Sequence, residues 1–201
     1  MASQTDIANI ALQRIGSKRI MDIADTTVQG ARVIRNVFET SVREVSRLGK
    51  WSFLMTRESL GKLSTTPIFG WENQFQLPAD YIRIVEFNRE DVWDYPKDRF
   101  EREGNRLLTN EDVAEIKYIR YESDTTQFDP LFVEALAVYI ASKIATVMRQ
   151  DEALARDLAN EFAREKLPTA RRIDGTDRKP QQYDIAEGSR FLGSRRISTN
   201  G

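Results

Sequence analysis

The sequence predicts an α+β protein, mainly α with a small antiparallel β insertion: a four-helix core followed by an extended C-terminal arm. Three observations carry that expectation. Apolar residues recur at helical spacing in residues 1–50 and again in 129–170. Between them, in 51–128, the period becomes strand-like, with β-branched and aromatic residues in short runs. After residue 170 most aliphatics disappear, so 171–201 reads as an arm too polar to form a core of its own.

The elements follow in order. Ile7, Ile10, Ala11 and Ile15 form an apolar stripe in a helix from Thr5 to Ile15, capped by Ser3 or Thr5 and ended by Gly16. A longer helix is expected from Thr27 to Leu48, with Val33 or Ile34, Val37, Phe38, Ser41, Val42, Val45 and Leu48 inward and most of its arginines and glutamates outward; Gly49 supplies the stop. Trp51 to Leu54 is expected to begin an extended run. Leu77-Pro78-Ala79-Asp80-Tyr81 reads as a turn into a strand, because Pro78 has no N–H for a ladder. Glu103-Gly104-Asn105-Arg106 reads as a hairpin turn, and 116–121 as a further strand. Asp129-Pro130 is an N-cap followed by proline at the first helical position. The helix it opens, Leu131 to Met148, is apolar nearly all round and therefore central to the core. Asp151 caps the next, with Leu154, Leu158, Phe162 and Ala163 on one face, and Pro168 is expected to end or kink it.

Composition narrows the chemistry. With 201 residues the chain can bury roughly 70% of its unfolded surface. A net charge of -1 gives no field to attract nucleic acid or an anionic membrane. No apolar run is long enough to predict a membrane span, and the opening Met1-Ala2-Ser3-Gln4-Thr5-Asp6 lacks the pattern of a signal peptide, so synthesis in the cytoplasm is expected. There is no cysteine and no histidine. Thiolate nucleophiles, Ser-His-Asp arrangements and the commonest zinc ligands are therefore absent. The expectation is a non-enzyme without a cofactor or bound metal.

Carboxylates are the conventional catalytic route that remains. Glu86, Glu90, Asp91 and Asp94 cluster in sequence, with Glu72 and Asp80 nearby, but a glycosidase needs two carboxyl groups at a defined separation that sequence does not reveal. A solvated loop explains the cluster as well. Trp51 is expected in the core; Trp71 and Trp93 lie in charged, loop-like surroundings where a contact role stays open. In the arm, the favoured reading is docking on a neighbouring subunit. Tyr183, Ile185, Phe191 and Leu192 would be apolar anchors, and Arg190, Arg195 and Arg196 would pair with acceptors around them.

These residues, in this order, resemble the tail tubular protein A family of podoviruses. The likeness starts at Asp6-Ile7-Ala8-Asn9-Ile10-Ala11-Leu12-Gln13-Arg14-Ile15-Gly16, an asparagine-containing amphipathic helix closed by an Ile-Gly pair. It continues through Ala31-Arg32, Gly49-Lys50-Trp51-Ser52-Phe53, Phe75-Gln76-Leu77-Pro78-Ala79-Asp80-Tyr81 and the helical pair from Phe128 to Arg164. It ends with Phe191-Leu192-Gly193-Ser194-Arg195-Arg196. The resemblance implies a virion protein of the head-to-tail junction. Its four-helix adaptor core would form a homo-oligomeric ring of twelve copies, with the portal above and a tubular protein B-like nozzle below. Double-stranded DNA would pass through the channel without specific binding, and no membrane would be involved. Two other readings remain: a carboxylate-based cell-envelope glycan hydrolase, and a DNA-binding accessory protein whose affinity would fall steeply with salt.

Overall fold

The computed structural model describes residues 2–92 and 99–177. It is an α+β fold of helices and two small antiparallel sheets. The helices are α1 (Gln4–Arg14), α2 (Gln29–Leu48), α3 (Pro130–Arg149), α4 (Glu152–Glu161) and α5 (Leu167–Thr176). A π turn, Phe162–Lys166, joins the last two into one continuous helical run. The strands are β1 (Met55–Ser59), β2 (Asn73–Gln76), β3 (Tyr81–Phe87), β4 (Glu90–Asp91), β5 (Phe100–Glu103), β6 (Arg106–Thr109) and β7 (Glu115–Arg120).

Local chemistry accounts for the helix ends. Ser3 and Asp6 form a capping box at the start of α1. Its end is a Schellman motif: Gly16 has φ +65°, and the N–H groups of Ser17 and Gly16 donate to Leu12 and Gln13 at 2.9 and 3.0 Å. Asp129 caps α3 by accepting from Leu131 and Phe132 at 2.8 and 3.2 Å, with Pro130 in the first turn. Gln150 takes a left-handed conformation, φ 55°, and turns the chain directly into α4.

Helix α3 is the hub. It packs against α1, α2, α4 and α5, and ten of its twenty residues are buried. By length and composition it could cross a membrane, contrary to the expectation from short apolar runs. Here it is the core helix, wrapped by its neighbours. Trp51 closes one end of this core, 1% exposed, with its indole N–H on the Val45 carbonyl at 3.1 Å and its ring edge-on to Phe132 at 4.9 Å.

The four-stranded sheet, in order β1-β7-β3-β4, has a core on each face. Ile82, Val85 and Ile119 face the helices; Ile84, Phe87, Ile116 and Tyr118 face a second core with Phe75, Leu77 and Leu107 of the three-stranded sheet, β2-β6-β5. Strict alternation would not put Ile82 and Val85 on one face. Register shifts in β3, between Tyr81 and Arg83 and between Ile84 and Glu86, reset the phase so that both faces bury aliphatics.

Three further expectations are corrected. Residues 52–54 form a 3-10 turn, not an extended run, because Trp51 must fold back beneath α2 before β1 can start. Pro168 does not end the helix: the Leu167 N–H reaches back to the Phe162 carbonyl, and the widened turn accommodates the proline. The arm does not begin extended at 171, since 167–176 is helical and Ala170 and Asp174 are buried.

Candidate partner-binding surfaces

The loop between β1 and β2 is built like a bracket. At its base, Leu63 N–H donates to the Gln74 carbonyl at 2.9 Å, and the Gln74 amide donates to the Thr65 carbonyl at 2.7 Å. At its return, the Trp71 indole N–H donates to Glu101 at 3.0 Å and the Glu72 N–H to Asn110 at 3.1 Å. Between these anchors stand Ile68 and Phe69, 98% and 86% exposed. Two large apolar side chains are thus held in solvent by an anchored loop. Reading the sequence for periodicity misses this pair. Its signal was an aliphatic-aromatic step inside a Pro67 to Gly70 turn.

A second feature is a groove of about 490 Å³ between the sheets, lined by Arg47, Trp71, Tyr81, Arg83, Phe100 and Arg102 among others. Arg47 donates to the Ile82 carbonyl at 2.8 Å and Arg83 to the Arg47 carbonyl at 3.1 Å, so the two guanidinium groups are held close together. Burial, then the charges of Arg47 and Arg171, hold the Arg83 guanidinium below its ordinary pKa. Its parts come from α2, the β1–β2 loop, β3 and β5, and that is why no single stretch of sequence announces it.

The candidate carboxylates are held by cations. Glu86 pairs with Lys117, Asp91 with Lys50 and Glu90 with Arg99, each at 2.6 Å. Each carboxylate is thus engaged by a neighbouring cation. Asp80 instead accepts from the Tyr118 hydroxyl at 3.0 Å, with Glu58 at 3.2 Å from the same oxygen. Burial first, then these two carboxylates, push the Tyr118 phenol up. Glu72 contributes its backbone N–H to the loop's return. Among the described residues no group of three or more acidic side chains is placed to hold a metal ion.

Of the remaining residues singled out in the sequence, Trp51 is in the core and Trp71 borders the groove. Trp93, Asp94, Tyr183, Ile185, Arg190, Phe191, Leu192, Arg195 and Arg196 lie outside the described residues. Asn9, quoted above only as part of a pattern, has a definite task. Its amide donates to the Ile20 carbonyl at 3.0 Å and accepts from the Ile20 N–H at 2.8 Å, clamping the α1–α2 connection. No protein-family model matches the chain, and no curated protein matches it either.

Proposed function

We propose that the chain is a structural adaptor of the head-to-tail junction of a short-tailed bacteriophage. In this reading it forms a homo-oligomeric ring, twelve copies, that joins the portal to the tail nozzle and lines the channel for the genome. The helices are the adaptor core. The β-rich part meets the nozzle, and the arm, through Tyr183, Ile185, Arg190, Phe191, Leu192, Arg195 and Arg196, docks on the portal. The protein is made in the host cytoplasm, resides in the virion tail and performs no catalysis of its own.

The observation that carries this reading is the anchored, solvent-facing Ile68–Phe69 pair in the β1–β2 loop of the β-rich part. Covering this pair with a partner would remove their apolar surface from water, which is favourable. A loop of this kind suits a subunit that hands over from one ring to the next. The ordered resemblance to tail tubular protein A, from Asp6 to Arg164, supports the same reading. The ion-paired state of Glu86, Glu90 and Asp91 weighs against glycan hydrolysis.

The test is the double substitution Ile68→Asp with Phe69→Asp in the full chain. It should leave the fold and portal docking intact and abolish capture of the nozzle. Unchanged nozzle capture would remove the support that this loop gives.

A further inference from the structure

The groove between the two sheets runs along a strand edge. Phe100, Glu101 and Arg102, three consecutive residues of β5, all line it. Successive side chains of a strand point to opposite faces, so one groove touches three in a row only by following the strand's edge. That edge is the last of its sheet. β5 pairs with β6 alone, and among the described residues its outer side makes no backbone hydrogen bond.

The lining is basic and aromatic. Among the described residues three arginines stand against one glutamate, a net of +2. Glu101 is held by the Trp71 indole N–H at 3.0 Å, and the Arg102 guanidinium lies 5.7 Å from the centre of the Tyr81 ring. Arg47 and Arg102 are exposed, and neither makes an ion pair among the described residues. Tyr81 and Arg102 also line a second cavity of about 750 Å³, which reaches the β5–β6 turn at Gly104. Glu58 stands on the wall of that cavity, so the positive charge is concentrated at the Arg47 end. The combined path is longer than a single side chain or a small ion requires.

We propose that this groove receives an extended, acidic segment of another protein as an added strand on β5. The segment's backbone N–H and C=O groups would pair with the outer side of β5, and its carboxylates would meet Arg47 and Arg102. A nucleic-acid strand would satisfy the arginines but has no regular series of N–H and C=O groups to offer the edge. A peptide answers both features. Charged residues on a short edge strand ordinarily keep other strands away. Here the excess of arginine makes that exclusion selective, repelling a basic segment and admitting one that carries carboxylates. The inference does not depend on the ring reading; within it, the groove adds the chemistry of a segment that the β-rich part receives.

Fluorescence anisotropy with the full chain tests this, using a labelled, end-blocked peptide that alternates threonine and glutamate. The peptide should bind, and amide exchange in Phe100–Glu103 should slow when it does. Arg102→Glu, at an exposed position, should weaken binding by roughly fivefold while circular dichroism and melting temperature stay those of the wild type. Replacing the threonines by proline removes the N–H groups that pair with the edge and should weaken binding by a similar factor. Replacing the glutamates by lysine should abolish it. An acidic peptide that does not bind, binds Arg102→Glu equally well, or tolerates the prolines would overturn the proposal. So would an oligothymidylate that binds where the peptide does not, which would assign the groove to nucleic acid. Each of these failures leaves the adaptor reading standing, since that reading rests on Ile68, Phe69 and the portal.

Discussion

Asp174, near the end of α5, accepts hydrogen bonds from both the backbone N–H and the hydroxyl of Ser52, at 2.8 and 2.6 Å. Ser52 sits where the chain leaves α2 for β1. This buried carboxylate therefore ties the C-terminal helix to the junction between the helical core and the sheets. Asp174→Ala should destabilise the fold by about 1–3 kcal/mol, because it leaves two donors at Ser52 without their acceptor. Asp174→Asn keeps an acceptor oxygen and should lose less. Urea unfolding of the three proteins checks the order.

Gly49 lies against the Trp51 ring, and a Cβ there would approach the indole to 2.5 Å. Gly49→Ala should cost about 1–3 kcal/mol by forcing the ring off the Val45 carbonyl and Phe132. Gly61, where a Cβ meets nothing within 4 Å, is the control. Gly61→Ala should stay within about 0.5 kcal/mol of the wild type. Equal losses at the two positions would contradict the packing described for Trp51.

The Asn9 clamp makes a similar forecast for the first connection. Asn9→Ala should cost about 1–3 kcal/mol, since the Ile20 N–H and carbonyl lose their partner in a buried place. Hydrogen exchange at the Ile20 amide should quicken with it. Protection unchanged in the variant would show that the clamp is not what holds the segment.

Glu44 on α2 accepts from Tyr139 at 2.8 Å and pairs with Lys143 on α3. Burial, the largest influence, opposes ionisation of its carboxyl, but Lys143 and Tyr139 together outweigh it and hold its pKa below the ordinary value of 4.5. A carboxyl whose folded pKa is depressed adds stability above its unfolded value and loses it as pH falls through the folded one. The wild-type melting temperature should therefore decline as pH drops below about 4.5. Glu44→Gln should flatten part of that decline while lowering stability at neutral pH. Parallel pH profiles for the two proteins would contradict the assignment.

Much of the helical part is legible in the sequence because its signals are local. Ser3, Gly16, Asp129 and Pro130 act within a turn of where they stand, and most of the apolar stripes of α1 and α2 fall on buried faces, with Val37 half-buried and Leu48 exposed. The hairpin at Glu103 to Arg106 is equally local, with Gly104 at φ 58°. What escapes is set by contacts between distant residues. The 3-10 turn after Trp51 depends on Val45 and Phe132, and the helical state of 171–176 is secured by Ser52. The split of the β residues into two sheets depends on the bulges in β3, which periodicity alone does not signal. Of the candidate surfaces, the carboxylates were visible as residues but not as ion pairs. Ile68 and Phe69 required knowledge that their loop is anchored.

Electron microscopy of the full chain mixed with portal rings from the same virion tests the central claim most directly. The adaptor reading predicts a second ring stacked coaxially on the portal, lost when residues 178–201 are removed. Portal rings left bare beside free chain, with sugar released from cell-envelope glycan by the chain alone, would contradict it.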